Sequence, residues 1–320
     1  MNKSHLLTAF SWQLIIAGAL LILLEFSVRL AFPGINNQGT DGNLFQQDAS
    51  GESLEWRPHA EGMAFGEKVV IDEYGYRSTA APDASAVSWL LLGDSVTFGV
   101  GVPAEKTFAG LIQQAVPDIM VWNTGVVGYS VENYKDVLNR FLDSGRSIRK
   151  AFIFFTLNDI YAQPNIQSSS TWSETTLAFL RRNSKLYMLT KNLLFDRSKS
   201  YFIYDYEQFE KTNPHLLATV KILGEINADL HDRGIDFLII LLPYEYQIRR
   251  QNPDDLKPQQ LLSEFLLADG IPFIDAYDYF TEQKLDSKEL YLYADAMHLS
   301  EAGHNVVYHM LSSAGALEQE

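Results

Sequence analysis

Four short stretches of this chain hold side chains suited to one reaction. The first is Gly93-Asp94-Ser95, at the end of an apolar run. The second begins at Asn123-Thr124-Gly125 and reaches Gly128. The third is Thr156-Leu157-Asn158-Asp159, and the last is Asp295-Ala296-Met297-His298. Serine chemistry at an acyl carbon needs a nucleophile, a base for its proton, and a carboxylate that orients the base. It also needs N–H donors for the tetrahedral oxyanion. Each of these residue types is present. Gly-Asp-Ser alone is also an ordinary turn and helix start. It gains meaning here because the other three stretches accompany it.

The elements around these stretches place them together. Residues 87–92 are apolar apart from Ser88 and end at Gly93, the pattern of a strand buried on both faces. Further strands are predicted at 119–122, 151–155, 237–242 and 272–274, and helices at 107–116, 131–142, 215–232, 259–268 and 300–311. Strands alternating with helices imply a parallel sheet between helical layers. Ligands of such sheets collect at the carboxyl ends of the strands, where the strand order reverses. Three consecutive strands end in the first three stretches, and the fourth precedes the last helix. Ser95 is expected exposed on a tight turn leading into a helix, with its backbone N–H facing whatever its hydroxyl attacks.

With these blocks in order, residues 87–311 resemble the SGNH (GDSL-type) hydrolases, serine esterases built on a flavodoxin-like sheet. The resemblance implies a three-layer α/β sandwich with a five-stranded parallel sheet. It makes Ser95 the nucleophile, His298 the base and Asp295 its partner. The Ser95 N–H, the Gly128 N–H and the Asn158 amide would form the oxyanion hole. No metal or cofactor is implied. One departure stands in the third block, where the family reads Gly-x-Asn-Asp and this chain has Thr156. A threonine there costs backbone freedom and is expected to narrow or reshape the acyl site.

The other departure is at the N-terminus. Residues 6–24 form a 19-residue run without a charge. As a helix it spans about 28 Å, close to the roughly 30 Å of a bilayer core. A cleaved signal peptide would have a shorter apolar region and a small-x-small site after it; here Glu25-Phe26-Ser27-Val28-Arg29 follows. An uncleaved anchor over residues 1–32 is therefore expected, then a juxtamembrane linker and small extension at 33–85. The hydrolase domain takes 86–320, with an insertion at about 160–213 that is too long for an ordinary connection and is either a lid or a packing element. Lys3 before the span and Arg29 after it give only a slight inside bias. The short leading flank favours that end inside and the large domain outside the cytoplasmic membrane. Anchored bacterial relatives of this type are associated with cell-envelope polysaccharides, so envelope machinery is a candidate partner.

Charge and composition narrow the ligands. The 320 residues carry 25 Lys plus Arg against 40 Asp plus Glu, a net charge of −15. Residues 1–32 hold Lys3, Arg29 and Glu25, a net +1, which leaves −16 on the remainder. That field repels phosphates, so nucleic acid is not an expected partner. There is no cysteine, which excludes disulfides, thiolate metal sites and a thiol nucleophile. His298 and His304 are poorly spaced to share a metal on one helix face, so His304 and His309 are expected to be ordinary helix residues. Residues 99–102 lack the third glycine of a dinucleotide fingerprint. Asp275 fits a turn cap better than the triad acid, and Asp94 and Asp159 fit the role of bracing their turns. Tyr244, Glu245 and Tyr246 follow the fourth strand at the same edge, within reach of a substrate.

The expected function is a membrane-anchored serine esterase removing small O-acyl groups, acetyl foremost, from a carbohydrate or other envelope molecule. An O-acyltransferase using the same residues passes through the same acyl-serine and remains open. A non-catalytic glycan-binding scaffold is the alternative from another class.

Overall fold

The computed structural model describes residues 3–48, 51, 53–81, 83, 85–161 and 172–318. The polar run Gln167-Ser168-Ser169-Ser170 lies outside the described residues. The chain opens with helix α1 (Lys3–Ala31). Its stretch Phe10–Ala31 is the one helix segment among the described residues long and apolar enough to cross a membrane. Trp12, Ile15, Leu20, Ile22 and Leu23 all stand exposed on it. A helix with apolar side chains left unburied suits a bilayer or a signal sequence.

Part of the stretch expected as linker is folded. Ile35 and Leu44 are buried, and β1 (Phe45–Gln47) pairs antiparallel with β2 (Leu54–Trp56). A second ribbon follows, β3 (Glu61–Ala64) with β4 (Glu67–Val70). Residues 68–72 read as a short strand and overlap β4, while the other three, rich in Gln, Glu and Gly, show too little alternation to be read as strands. Their order comes from packing. Trp56 stacks on Phe98 at 4.2 Å between ring centroids and donates its indole N–H to the Gly125 carbonyl at 2.8 Å.

The central sheet holds β5 (Ser88–Gly93), β6 (Met120–Asn123), β7 (Ile148–Phe155), β8 (Asp236–Leu241) and β9 (Phe273–Asp275). They run parallel in the order β6-β5-β7-β8-β9, the flavodoxin-like arrangement. All six residues of β5 are buried, as an interior strand of a sheet covered on both faces requires. β7 begins earlier than its apolar run because Arg149 and Lys150 occupy its partly exposed start. After β5 comes the single turn α2 (Ser95–Phe98), then α3 (Phe108–Ala115), capped by the Thr107 hydroxyl. Helix α4 (Val131–Asp143) buries Tyr134, Val137, Leu138 and Phe141, the face its periodicity marks.

The long stretch after β7 is helical where it is described: α5 (Trp172–Asn183), α6 (Lys185–Leu194) and α7 (Arg197–Tyr206). Helix α8 (Pro214–Asp232) packs on α4. The remaining helices are α9 (Glu245–Arg250), α10 (Lys257–Ala268), α11 (Tyr277–Glu282), α12 (Ser287–Leu290) and α13 (Glu301–Ser313). Helix α13 lies against α3.

Helix α1 is fastened to the insertion. Glu25 accepts the Ser184 hydroxyl at 2.8 Å and the N–H groups of Lys185 and Leu186 at 2.9 Å each. It thus supplies, from a distant segment, the acceptor that the first turn of α6 needs. Arg29 donates to the Asn183 carbonyl at 2.6 Å, and Lys185 to the Pro33 carbonyl at 2.8 Å. Val28, Ile35 and Met188 close a small apolar cluster at the joint.

One close approach fixes the loop after β6 against α2. A Cβ added at Gly125 would lie 2.4 Å from the Phe98 nitrogen and 2.7 Å from the Asp94 carbonyl oxygen. Both are backbone atoms and cannot swing aside. Gly125→Ala is expected to destabilise the protein by about 1–3 kcal/mol, read as a lower denaturation midpoint at unchanged slope. A midpoint equal to the parent's would show that the loop gives way freely.

Candidate active site

Gly93 ends β5 and the chain turns at Asp94, whose carboxylate accepts the Val96 N–H at 2.8 Å and so caps α2. This presents Ser95 at the carboxyl edge of the sheet. Its Oγ lies 2.8 Å from His298 Nε2 and 3.3 Å from Asp94 Oδ2. A hydroxyl has one proton, and the shorter contact directs it to the imidazole. His298 Nδ1 lies 2.8 Å from Asp295 Oδ1, so the tautomer with its proton on Nδ1 leaves Nε2 free to accept. Ser95 is buried, with 6% of its surface accessible, where the sequence suggested an exposed turn. Its own partner covers it: the His298 ring lies over the hydroxyl, and the Phe65 ring packs on His298 at 4.8 Å.

Phe65 has no signal in the sequence. It sits in the β3–β4 turn with φ +53°, a left-handed conformation costing a non-glycine residue about 1–2 kcal/mol. The N-terminal ribbon therefore forms part of the site.

Asp295 is held on both oxygens. Oδ1 also accepts the N–H groups of Met297 and His298 at 3.1 Å each. Oδ2 accepts the Gln38 amide at 3.4 Å and lies 4.0 Å from the Arg197 guanidinium. Burial alone would push its pKa up. The facing His298, their hydrogen bond, and Arg197 outweigh burial and hold Asp295 well below the usual carboxylate range.

The opposite trend governs the other side. Asp94 and Asp159 are fully buried and both are pushed up, by desolvation first; at Asp159 repulsion from Asp94 adds to it. They brace their turns as expected: Asp159 accepts the Thr156 N–H at 2.8 Å. Thr156 itself has ordinary extended backbone, φ −116°, so glycine's freedom is not required. Its hydroxyl points into the network, 2.9 Å from Asn158 Oδ1 and 3.0 Å from Asp159 Oδ1, and not into an acyl site.

Asn158 is oriented by its neighbours. Its Oδ1 also lies 3.0 Å from the Tyr244 hydroxyl. The Thr156 hydroxyl donating to the carbonyl oxygen, with the Tyr244 hydroxyl beside it, turns the amide nitrogen towards Asp94 Oδ2, at 3.3 Å, the oxygen that Ser95 also faces. One amide hydrogen goes to Asp94, and the nitrogen carries a second for an incoming oxyanion. Tyr244 is fully buried and bonds Asp205 of α7 at 2.7 Å, so it works behind Asn158 and does not face solvent. Glu245 binds the Ser287 hydroxyl at 2.6 Å, and Tyr246 packs on Phe202. Gly128 follows in the loop after β6 with φ +84°, a conformation that favours glycine.

The residues set aside have ordinary roles. Asp275 caps the turn after β9, accepting the Tyr277 N–H at 3.0 Å. His304 Nδ1 accepts the Phe108 N–H at 3.2 Å, joining α13 to α3; burial holds it neutral, with its pKa down to about 3. Among the described residues no group of three or more His, Cys, Asp or Glu is placed to hold a metal ion.

Residues 91–306 match the model of the GDSL-like lipase/acylhydrolase family. No curated protein matches. Among solved structures, LAE5, an alpha/beta hydrolase from the metagenome of Lake Arreo, is 14% identical. The alignment covers 74% of this chain and 99% of that one at a TM-score of 0.44. A lipolytic G-D-S-L protein of Veillonella parvula is 16% identical, covering 72% and 99% of the two chains, at 0.42. Axe2, an acetylxylan esterase of Geobacillus stearothermophilus, is 15% identical over 74% and 96%, at 0.45.

Loss of one preorganised oxyanion donor typically costs about 10²–10³ in rate. Asn158→Ala is expected to lower kcat on an aryl acetate by that range while the circular dichroism spectrum is kept. Tyr244→Phe, which removes one orienting hydroxyl, should lower kcat less and leave KM alone. Activity of Asn158→Ala equal to the parent's would remove Asn158 from the oxyanion site.

Proposed function

The chain belongs to the GDSL-like lipase/acylhydrolase family and is a serine hydrolase of ester bonds, and from that premise we propose a membrane-anchored O-deacylase. It removes small acyl groups, acetyl foremost, from a carbohydrate or other cell-envelope molecule. The observation that carries this reading is the relay of two 2.8 Å contacts, Ser95 Oγ to His298 Nε2 and His298 Nδ1 to Asp295 Oδ1.

On this reading His298 Nε2 takes the Ser95 proton as Oγ bonds to the ester carbon. The carbonyl oxygen becomes an oxyanion, met by the Ser95 and Gly128 N–H groups and the Asn158 amide. The carbon–oxygen bond to the alcohol then breaks, and His298 returns the proton to the leaving oxygen. Water bonds to the acyl carbon as His298 takes its proton, and the second oxyanion collapses with the carbon–Oγ bond breaking and His298 returning the proton to Ser95 Oγ. Asp295 stays ionised throughout and stabilises the imidazolium. The burial of Ser95 and His298 supports a small acyl group. The −16 charge outside residues 1–32 supports a neutral substrate over a polyanion.

The apolar face of α1 supports retention in the cytoplasmic membrane, with the enzyme on the outer side. Envelope polysaccharide machinery is the partner class that reading implies. A sugar hydroxyl in place of water would make the protein an O-acyltransferase by the same residues.

The test uses the full chain in detergent with an aryl acetate, with and without an oligosaccharide acceptor. Ser95→Ala is expected to lower hydrolysis by at least about 10³-fold and to abolish labelling by a fluorophosphonate. Hydrolysis by purified Ser95→Ala at the parent rate would sink the assignment. Acetylated oligosaccharide as the main product would replace deacylation with transfer.

A further inference from the structure

We propose that Arg197, acting with Gln38, is a positioning residue for the triad acid. It holds the outer oxygen of Asp295 and sets how strongly that carboxylate supports a protonated His298. This rests on the reading of Ser95, His298 and Asp295 as the catalytic set. Neither residue belongs to the four motif stretches. Gln38 comes from the segment after α1, and Arg197 is the first residue of α7 in the insertion.

The geometry forms a bridge. The Arg197 guanidinium donates to the Gln38 carbonyl oxygen, and the Gln38 amide nitrogen donates to Asp295 Oδ2 at 3.4 Å. The guanidinium also faces Oδ2 directly at 4.0 Å. Gln38 is 5% exposed, Asp295 is 2% exposed, and the Arg197 side chain is 22% exposed, so water screens this charge pair less than a surface one. The bridge is itself held. Gln38 N–H donates to the Arg181 carbonyl at 3.0 Å, and the Arg197 guanidinium lies 4.8 Å over the Tyr201 ring.

Arg197 is also misplaced for its own helix. A cation in the first turn opposes the helix macrodipole, which favours anions there. The Asp196 carboxylate that caps α7 offsets part of that cost, and the Asp295 carboxylate is a second anion that the guanidinium faces.

The functional consequence has a definite sign. The groups acting electrostatically on the pair are Asp94 and Arg197, with His304 on α13 facing His298. Of these, Arg197 is the cation that cancels part of the Asp295 field at His298. Without it the Asp295 carboxylate is less neutralised and favours positive charge beside it more strongly, so the acid limb of activity moves to higher pH.

The experiment is the pH profile of kcat/KM on an aryl acetate, for the full chain in detergent. Arg197→Met is expected to move the acid limb up by on the order of 0.5–1 pH unit. Arg197→Lys, which keeps the charge, should leave the limb where the parent has it. Arg197→Gln keeps a donor for Gln38 without the charge and should shift the limb like Arg197→Met; it serves where Met does not fold. A residue that merely packs would lower activity or stability without moving the limb. A limb unmoved in the folded neutral variant overturns the proposal. If the catalytic reading were itself wrong, Ser95→Ala would stay active; if only the role of Arg197 were wrong, Ser95→Ala would be inactive and the limb fixed.

Discussion

A carboxylate taken fully out of water must find donors for both oxygens, and Asp295 imposes that demand on the rest of the site. One oxygen is met locally, by two backbone N–H groups and the His298 ring three residues on. The other cannot be met locally. It draws in Gln38, more than 250 residues earlier, and Arg197 from the insertion. The ionised Asp295 then fixes the tautomer of His298, and His298 in turn orients Ser95. The nucleophile is thus organised from behind, through contacts that begin outside the central sheet.

The oxyanion side solves the reverse problem. Asp94 and Asp159 are buried, and desolvation disfavours the ionisation of each, with repulsion from Asp94 adding to it at Asp159. What makes them useful is acceptor geometry: they cap the turns that carry Ser95 and Asn158. Asn158 is held between Asp94 on its nitrogen and the Thr156 hydroxyl on its oxygen, with Tyr244 packed beside it, an arrangement with few rotational alternatives. One half of the site is thus built on a stabilised negative charge, the other on neutral hydrogen bonding. Ser95 and Asn158 follow neighbouring strand ends of the parallel sheet, and the loop between α12 and α13 brings Asp295 and His298 to them.

The parts legible in the sequence are those that chain-local patterns encode. The apolar runs of β5 to β9 and the stripe on α4 could be read because burial on one or two faces leaves a period. Ser95, Asn158, Asp295 and His298 stand out because their chemistry is uncommon in that order at strand ends. Phe65, Gln38, Arg197 and Asp205 left no such trace, and Tyr244 could be placed at the edge of the sheet but not behind Asn158. Each matters through a partner far along the chain, and none lies in a periodic element with a face to declare. In the ribbons at 45–70 only the strand near 68–72 shows in the sequence; the others, three or four residues each, look like a linker until Trp56 and Leu44 are seen buried. Thr156 was misleading in the other direction. Its side chain suggested an obstruction, and the fold turns it into the network behind Asn158.

The joint between Glu25 and the start of α6 bears on reach. A domain hung from its anchor by a slack tether would sweep a wide shell above the membrane and sample any acyl group within the length of the chain. Here the helix end is stitched to the insertion by a carboxylate, an arginine and a lysine, with no free residues between them. On the proposed reading, the site therefore has a set height and bearing over the bilayer. Selection among esters would begin with distance from the membrane, before any pocket is consulted. Substrates would have to be delivered to the enzyme, for instance as a glycan emerging past it, because the enzyme cannot lean out to search.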